Sequence, residues 1–146
     1  MQQNIFPFFE RDINKLIEEL NLYKSEEDIW KMREGISNSA GNLTLHLLGN
    51  LNHFIGATLG KTGYVRDRDK EFTLKNISRD QLVGDLRSTI GIIKKTLSSL
   101  SKEDLERDFP IAITNTVSST ASVLVYLLAH FNYHLGQVNY HRRLVA

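Results

Sequence analysis

Residues 122–146 read SVLVYLLAHFNYHLGQVNYHRRLVA, and the fold turns on whether this segment is strand or helix. Its β-branched and aromatic residues, Val123, Val125, Tyr126 and Phe131 among them, lower helix propensity and suit extended backbone. Length decides the matter. The run continues for roughly 25 residues with no Pro and no Gly but Gly136, whereas strands usually end within about 10 residues. The segment is read as a helix from about Ser119 to Leu144, with Arg142 and Arg143 where cations complement the carboxy-terminal end of the helix dipole.

Working outward, three more helices emerge. From Phe8 to Tyr23, Phe9, Ile13, Leu16, Ile17 and Leu20 recur at three and four. A second helix is predicted from Ser39, its cap, to about Leu59, apolar on several sides as a deeply buried helix is. The third opens with Ser78 as its cap and buries Leu82, Leu86, Ile90, Ile93 and Leu97. The connectors are NLYKSEEDIWKMREGISNSAGN, with Trp30 as its one large anchor, residues 60–77, and SKEDLERDFPIAITNTVSS, whose IAITNTV is read as a short strand pair. Four helices in 146 residues predict an all-α four-helix bundle, a single domain over residues 1–146.

Composition narrows the function classes. Apolar content of 41% and charged content of 24% are those of a globular protein, and a net charge of +1 makes no case for nucleic acid or an anionic membrane. The longest apolar runs are too short to span a bilayer, and MQQNIFPFFERD lacks the order of a signal peptide. The absence of cysteine excludes disulfides, a protein thiol nucleophile and thiolate metal ligands. A cytoplasmic location is the expectation.

All five histidines fall on two of the predicted helices. With an advance of about 100° per residue, His130, His134, Gln137 and His141 form one polar stripe, and His46, Asn50 and His53 form another. Two histidines at i and i+4 can bind one ion, a condition that His130 and His134 meet. A third ligand must come from another helix, from His46 or His53. Both cannot serve, because seven residues separate them by about 10 Å of rise, and the same distance argument removes His141. Three histidines with an open position make the catalytic rather than the structural type of site. The plain alternative is that the imidazoles satisfy one another or bond Asn50 and Gln137. Asn50 is a candidate partner for an imidazole N–H.

HFNYHLGQ at 130–137 resembles the carboxy-terminal signature of the DinB-like superfamily, damage-inducible four-helix bundles that include the bacillithiol transferases. GNLTLHLLGNLNHFIG at 41–56 is similar to the second helix of a poorly characterised branch with an HLxGN motif, and RDRDKEF at 66–72 matches that branch's RDRDxEF. The resemblance implies an up-down-down-up bundle with residues 60–77 as a long crossover between helices two and three. It implies His46, His130 and His134 as the metal triad, and a homodimer. His53 lies outside the family's motif, and His141 is expected at the surface or the helix end. A close helix contact or access to the metal would account for Gly136. Arg66 and Arg68 are expected to brace the crossover with Phe72, or to reach an anionic substrate.

Three neutral imidazoles suit zinc or nickel. Such a site lowers the pKa of bound water or holds a thiol as thiolate. The resemblance implies S-transfer from a low-molecular-weight thiol to an electrophile, with the nucleophile supplied by a small-molecule cosubstrate because the chain has no cysteine. The alternatives are a non-catalytic, stress-associated metal-binding module and a metal-dependent hydrolase. Hydrolysis needs a general base, and no carboxylate stands within the histidine motifs, although a distant one such as Glu71 can fold in.

Overall fold

The computed structural model describes residues 2–145. Its elements are α1 (Gln2–Leu22), a 3₁₀ turn (Glu26–Trp30), α2 (Ala40–Leu51) continued by π-helical turns (Asn52–Leu59), α3 (Arg68–Thr73), α4 (Arg79–Ser98), α5 (Lys102–Glu106) and α6 (Thr120–Val145). The fold is all-helical, with no strand among the described residues. The four predicted helices correspond to α1, α2 with its π continuation, α4 and α6.

Local chemistry accounts for most boundaries. Ser39 Oγ accepts from Asn42 N–H, and Ser78 Oγ accepts from Gln81 N–H, so both predicted caps satisfy amides that helix geometry leaves unpaired. α1 begins six residues before the predicted Phe8, with Pro7 inside it. Ile5 is buried and extends the apolar stripe by a turn, which offsets the missing proline N–H. The expected strand pair in IAITNTV does not form. Only isolated bridges join Asp108 to Ser119 and Ile113 to Thr116, and between them Pro110 offers no N–H to a ladder.

α1 packs against α4 and α6, and α2 packs against the same two helices. Along α1 and α6 the hydrogen bonds Asp12–Asn132, Glu19–Asn139 and Tyr23–His141 advance in step. Arg79, opening α4, donates to the carbonyl of Tyr23 just past the end of α1. Asn52 meets Thr89, and further along Gly60 meets Thr96, so the π turns and α4 also advance in step. Phe9, Ile13, Leu16, Leu20, Leu47, Leu51, Leu82, Leu86, Leu124, Leu127 and Phe131 fill the space between these helices. Trp30 lies against α2 at Gly41, where a Cβ would press into the indole ring. Residues 60–77 hold α3 against α2, so the predicted crossover carries a short helix of its own.

Candidate metal centre

His46 projects from the middle of α2, and His130 and His134 lie one turn apart on α6. Burial of Leu127, Phe131, Leu135 and Val138 fixes the rotation of α6 and turns both imidazoles toward α2. His46 is 7% exposed, and His130 and His134 are half-buried. The ring centroids are 4.6 Å apart for His130 and His134, and 5.1 and 5.2 Å from His46 to each of them. One ring nitrogen from each residue lies within 4.8 Å of the other two.

The hydrogen bonds assign the protons. His46 Nδ1 is 3.0 Å from Glu71 Oε1. A carboxylate only accepts, so Nδ1–H donates, and in the neutral ring Nε2 then carries the lone pair. Arg66 Nη2 lies 3.5 Å from the same nitrogen, but a guanidinium only donates, so this approach is a contact and not a second hydrogen bond. His134 Nδ1–H donates to Gln137 Oε1 at 2.7 Å, which leaves its Nε2 free as well. His130 Nδ1 is buried without a partner, and its Nε2 stands 3.2 Å from His46 Nε2. Burial first, then the neighbouring His134, His46 and Arg66, push the His130 pKa down to about 4. Burial also holds His134 below the ordinary histidine range, against the raising effect of the hydrogen bond it gives to Gln137. Both are therefore neutral at pH 7, the form that ligates a metal.

This donor set fits a divalent transition metal. Nitrogens at about 2.0–2.1 Å from a tetrahedral ion stand roughly 3.3 Å from one another, close to the His46–His130 spacing of 3.2 Å. Among the described residues no fourth His, Cys, Asp or Glu belongs to the group, so further positions would fall to small molecules. Phe72 flanks His46, and exposed Tyr126 and Tyr133 flank His130 and His134.

The other predicted site residues are distributed around this centre. Gln137 reaches it directly through His134. Asn50 is buried with Oδ1 unpartnered. His53 falls in the π turns, whose wider winding takes it out of the ideal α-helical phase assumed for the His46 stripe, and its ring lies against Phe54. Burial, then Arg66, lowers its pKa. Arg66 gives two hydrogen bonds to Glu71, at 2.8 and 3.0 Å, and lies over Phe54. Arg68 is exposed and lies over Phe72.

Two expectations need correction. His141 lies near the helix end, one of the two placements expected, but not at the surface: it is 4% exposed, its Nδ1 accepts from Tyr23 Oη–H at 2.6 Å, and its Nε2–H donates to the Lys31 carbonyl at 2.8 Å. Gly136 is not required by a close contact, because a Cβ there would meet nothing within 4 Å.

Glu71 is the residue that sequence reasoning underrated. It does fold in, but as the partner of His46 and Arg66 rather than as a free base. Burial raises its pKa, and the hydrogen bonds from His46 and Arg66 outweigh that and hold the carboxyl below its usual range. The available signal was the pair of motifs HLLGN and RDRDKEF, which the fold brings together: a Cβ at Gly49 would overlap Glu71 Oε2. A cavity of about 410 Å³ borders Gly49, Asn52, Tyr64, Glu71 and Thr89, and none of the three clustered histidines lines it.

A family model described as a protein of unknown function (DUF1572) matches residues 6–146. No curated protein matches the sequence.

Proposed function

The chain belongs to the DUF1572 family, which is DinB-like, and from that premise we propose that it is a metal-dependent thiol S-transferase. His46, His130 and His134 are the ligands in this reading. The observation that carries it is the meeting of three imidazoles from α2 and α6, neutral or with Nε2 lone pairs free, in a group of no other ligand type. When bound, a zinc or nickel ion supplies Lewis acidity that favours the thiolate form of a thiol at neutral pH. The chain's own residues do the rest. Glu71 and Gln137 hold the His46 and His134 rings in orientation. Phe72, Tyr126 and Tyr133 wall the approach and present apolar surface to a small electrophile. Arg68 is exposed beside Phe72 and is placed to meet an anionic group of the thiol, whereas the Nε and Nη2 donors of Arg66 are engaged by Glu71.

With no cysteine in the chain, a low-molecular-weight thiol provides the sulfur. Its proton passes to solvent, its lone pair forms the carbon–sulfur bond, and the leaving group departs with the electrons of the broken bond. Hydrolysis is less well served, because Glu71 is held by two hydrogen-bonding partners and is not free to take a proton from water.

The reading includes the up-down-down-up bundle, supported by the α1–α6 and π-turn–α4 pairs that advance in step and by Arg79 meeting the end of α1. It also includes membership of the branch with HLxGN and RDRDxEF, kinship with bacillithiol transferases, a single domain, a homodimer and a cytoplasmic location. Exposed Val125, Tyr126, Tyr133, Tyr140 and Leu144 on α6 support self-association. No helix of the described residues is long and apolar enough to cross a membrane.

Metal analysis of purified wild type beside His130→Ala, followed by conjugation assays with common low-molecular-weight thiols, tests the proposal. Stoichiometric metal in wild type alone, with thiol-dependent turnover, is expected. Equal metal in both proteins removes the ligand assignment. Stoichiometric metal without turnover on any thiol favours the non-catalytic binding module.

A further inference from the structure

We propose that Glu71 is a positioning residue for the metal centre, carried to His46 by the crossover and admitted by Gly49. The inference rests on the metal-binding reading above and extends it to a residue that is not itself a ligand.

Both oxygens of Glu71 are occupied: Oε1 by His46 Nδ1 and Arg66 Nη2, each at 3.0 Å, and Oε2 by Arg66 Nε at 2.8 Å. The carboxylate is 5% exposed. Burying such a charge is costly even when it is paired, and an apolar residue in the same space is often at least as stable. Stability therefore gives no reason for this arrangement, while the contact with His46 does. The carboxylate fixes the Nδ1–H tautomer, leaves Nε2 facing His130, and makes the imidazole a stronger donor toward an ion.

One face of α2 is shaped for this delivery. Asn42, His46 and Gly49 follow at helical spacing of four and three. Asn42 Nδ2 donates to the Glu71 and Leu74 carbonyls, both at 2.9 Å, and Lys75 Nζ donates to Asn42 Oδ1 at 2.6 Å. These bonds pin the backbone of α3 to α2. Gly49 then provides the gap, because a Cβ there would overlap Oε2 and crowd Cδ of Glu71. The side chain passes over the glycine and meets the histidine one turn away. HLLGN and RDRDKEF are in this way two halves of one device, one supplying the ligand and the gap, the other the carboxylate and its guanidinium partner.

The test is titration of metal-free protein with Co²⁺, read by its visible absorption and by competition with a chromophoric chelator. Glu71→Gln keeps the shape and removes the charge. It is expected to weaken Co²⁺ binding about 10–100-fold, with cooperative unfolding of the metal-free protein retained. Gly49→Ala is expected to weaken binding by displacing the carboxylate, and Gly49→Ala with Glu71→Ala is expected to bind no worse than Glu71→Ala alone. That masking shows that Gly49 acts through Glu71, while the cooperative unfolding retained in Glu71→Gln separates positioning of His46 from a merely structural role. Wild-type uptake of Co²⁺ with an unchanged affinity in Glu71→Gln overturns this proposal alone, as do losses that multiply in the double variant. Failure of wild type to take up Co²⁺ overturns the metal-site reading itself.

Discussion

The middle of α6 and its carboxy-terminal end keep their histidines in opposite conditions. Near the carboxy-terminal end, His141 has both ring nitrogens satisfied, Nδ1 by the Tyr23 hydroxyl and Nε2–H by the Lys31 carbonyl. About two turns earlier, His134 has one nitrogen satisfied by Gln137, and about three turns earlier His130 has a buried Nδ1 with no partner while its Nε2 faces that of His46. All three share one stripe of the same helix. What separates them is the element opposite: α1 and the segment after the 3₁₀ turn offer a hydroxyl and a carbonyl, whereas α2 offers another imidazole. A buried histidine with two hydrogen-bond partners of opposite type is complete as a structural residue. One whose remaining nitrogen faces those of other imidazoles can be completed by a cation.

The sharpest break of this comparison exchanges the roles by mutation. His134→Ala is expected to abolish stoichiometric metal binding, and His141→Ala to leave the metal content at wild-type level, both read by elemental analysis. Metal loss in His141→Ala with the fold intact would collapse the distinction. Stability should divide the other way. His141→Ala removes one buried and one part-buried hydrogen bond and leaves the Tyr23 hydroxyl and Lys31 carbonyl without this partner, so urea unfolding of the metal-free protein should show a loss of about 2–4 kcal/mol. Tyr23→Phe removes one of those bonds and should lose about 1–2 kcal/mol.

A pH series probes the same residue. Burial holds His141 below its ordinary value of 6.5, against the raising effect of the Lys31 carbonyl. The folded chain therefore binds fewer protons at this site than the unfolded chain, and the stability it contributes is present above about 6.5 and falls as the pH drops below that value. Unfolding free energies measured between pH 7.5 and 5 in a His130→Ala background, which takes metal linkage out of the comparison, should fall less steeply when His141→Gln is added. An unchanged slope would show that His141 is not buried as a neutral imidazole.

The smallest expected effect concerns the helix between the two regions. With open space where its Cβ would be, Gly136→Ala should raise thermal stability by up to about 1 kcal/mol and leave metal binding unaltered. A drop in metal affinity would restore the idea that this glycine serves access to the site.

Much of the fold was readable because its signals are local. The length of the apolar run before Gly136, the caps Ser39 and Ser78, and the i, i+4 spacing of His130 and His134 each depend on residues within a few turns. The π winding from Asn52 to Leu59 was not readable, because the period assumed for the histidine stripe was the α-helical one. The start of α1 at Gln2 was not readable either, because it is burial of Ile5 that carries the helix through Pro7.

By itself, the sequence determined which side chains share a helix face, that no thiol of the chain can act as nucleophile or ligand, and that His130 and His134 stand at a spacing able to serve one ion with a third ligand from another helix. Only the tertiary structure decided which histidine is complete and which is not. The partners of His141 lie 118 and 110 residues away along the chain, and Glu71 reaches His46 across 25 residues through a gap left by Gly49. Helical periodicity gives a side chain its direction. The hydrogen-bonding group it meets there belongs to another element, and packing chooses it.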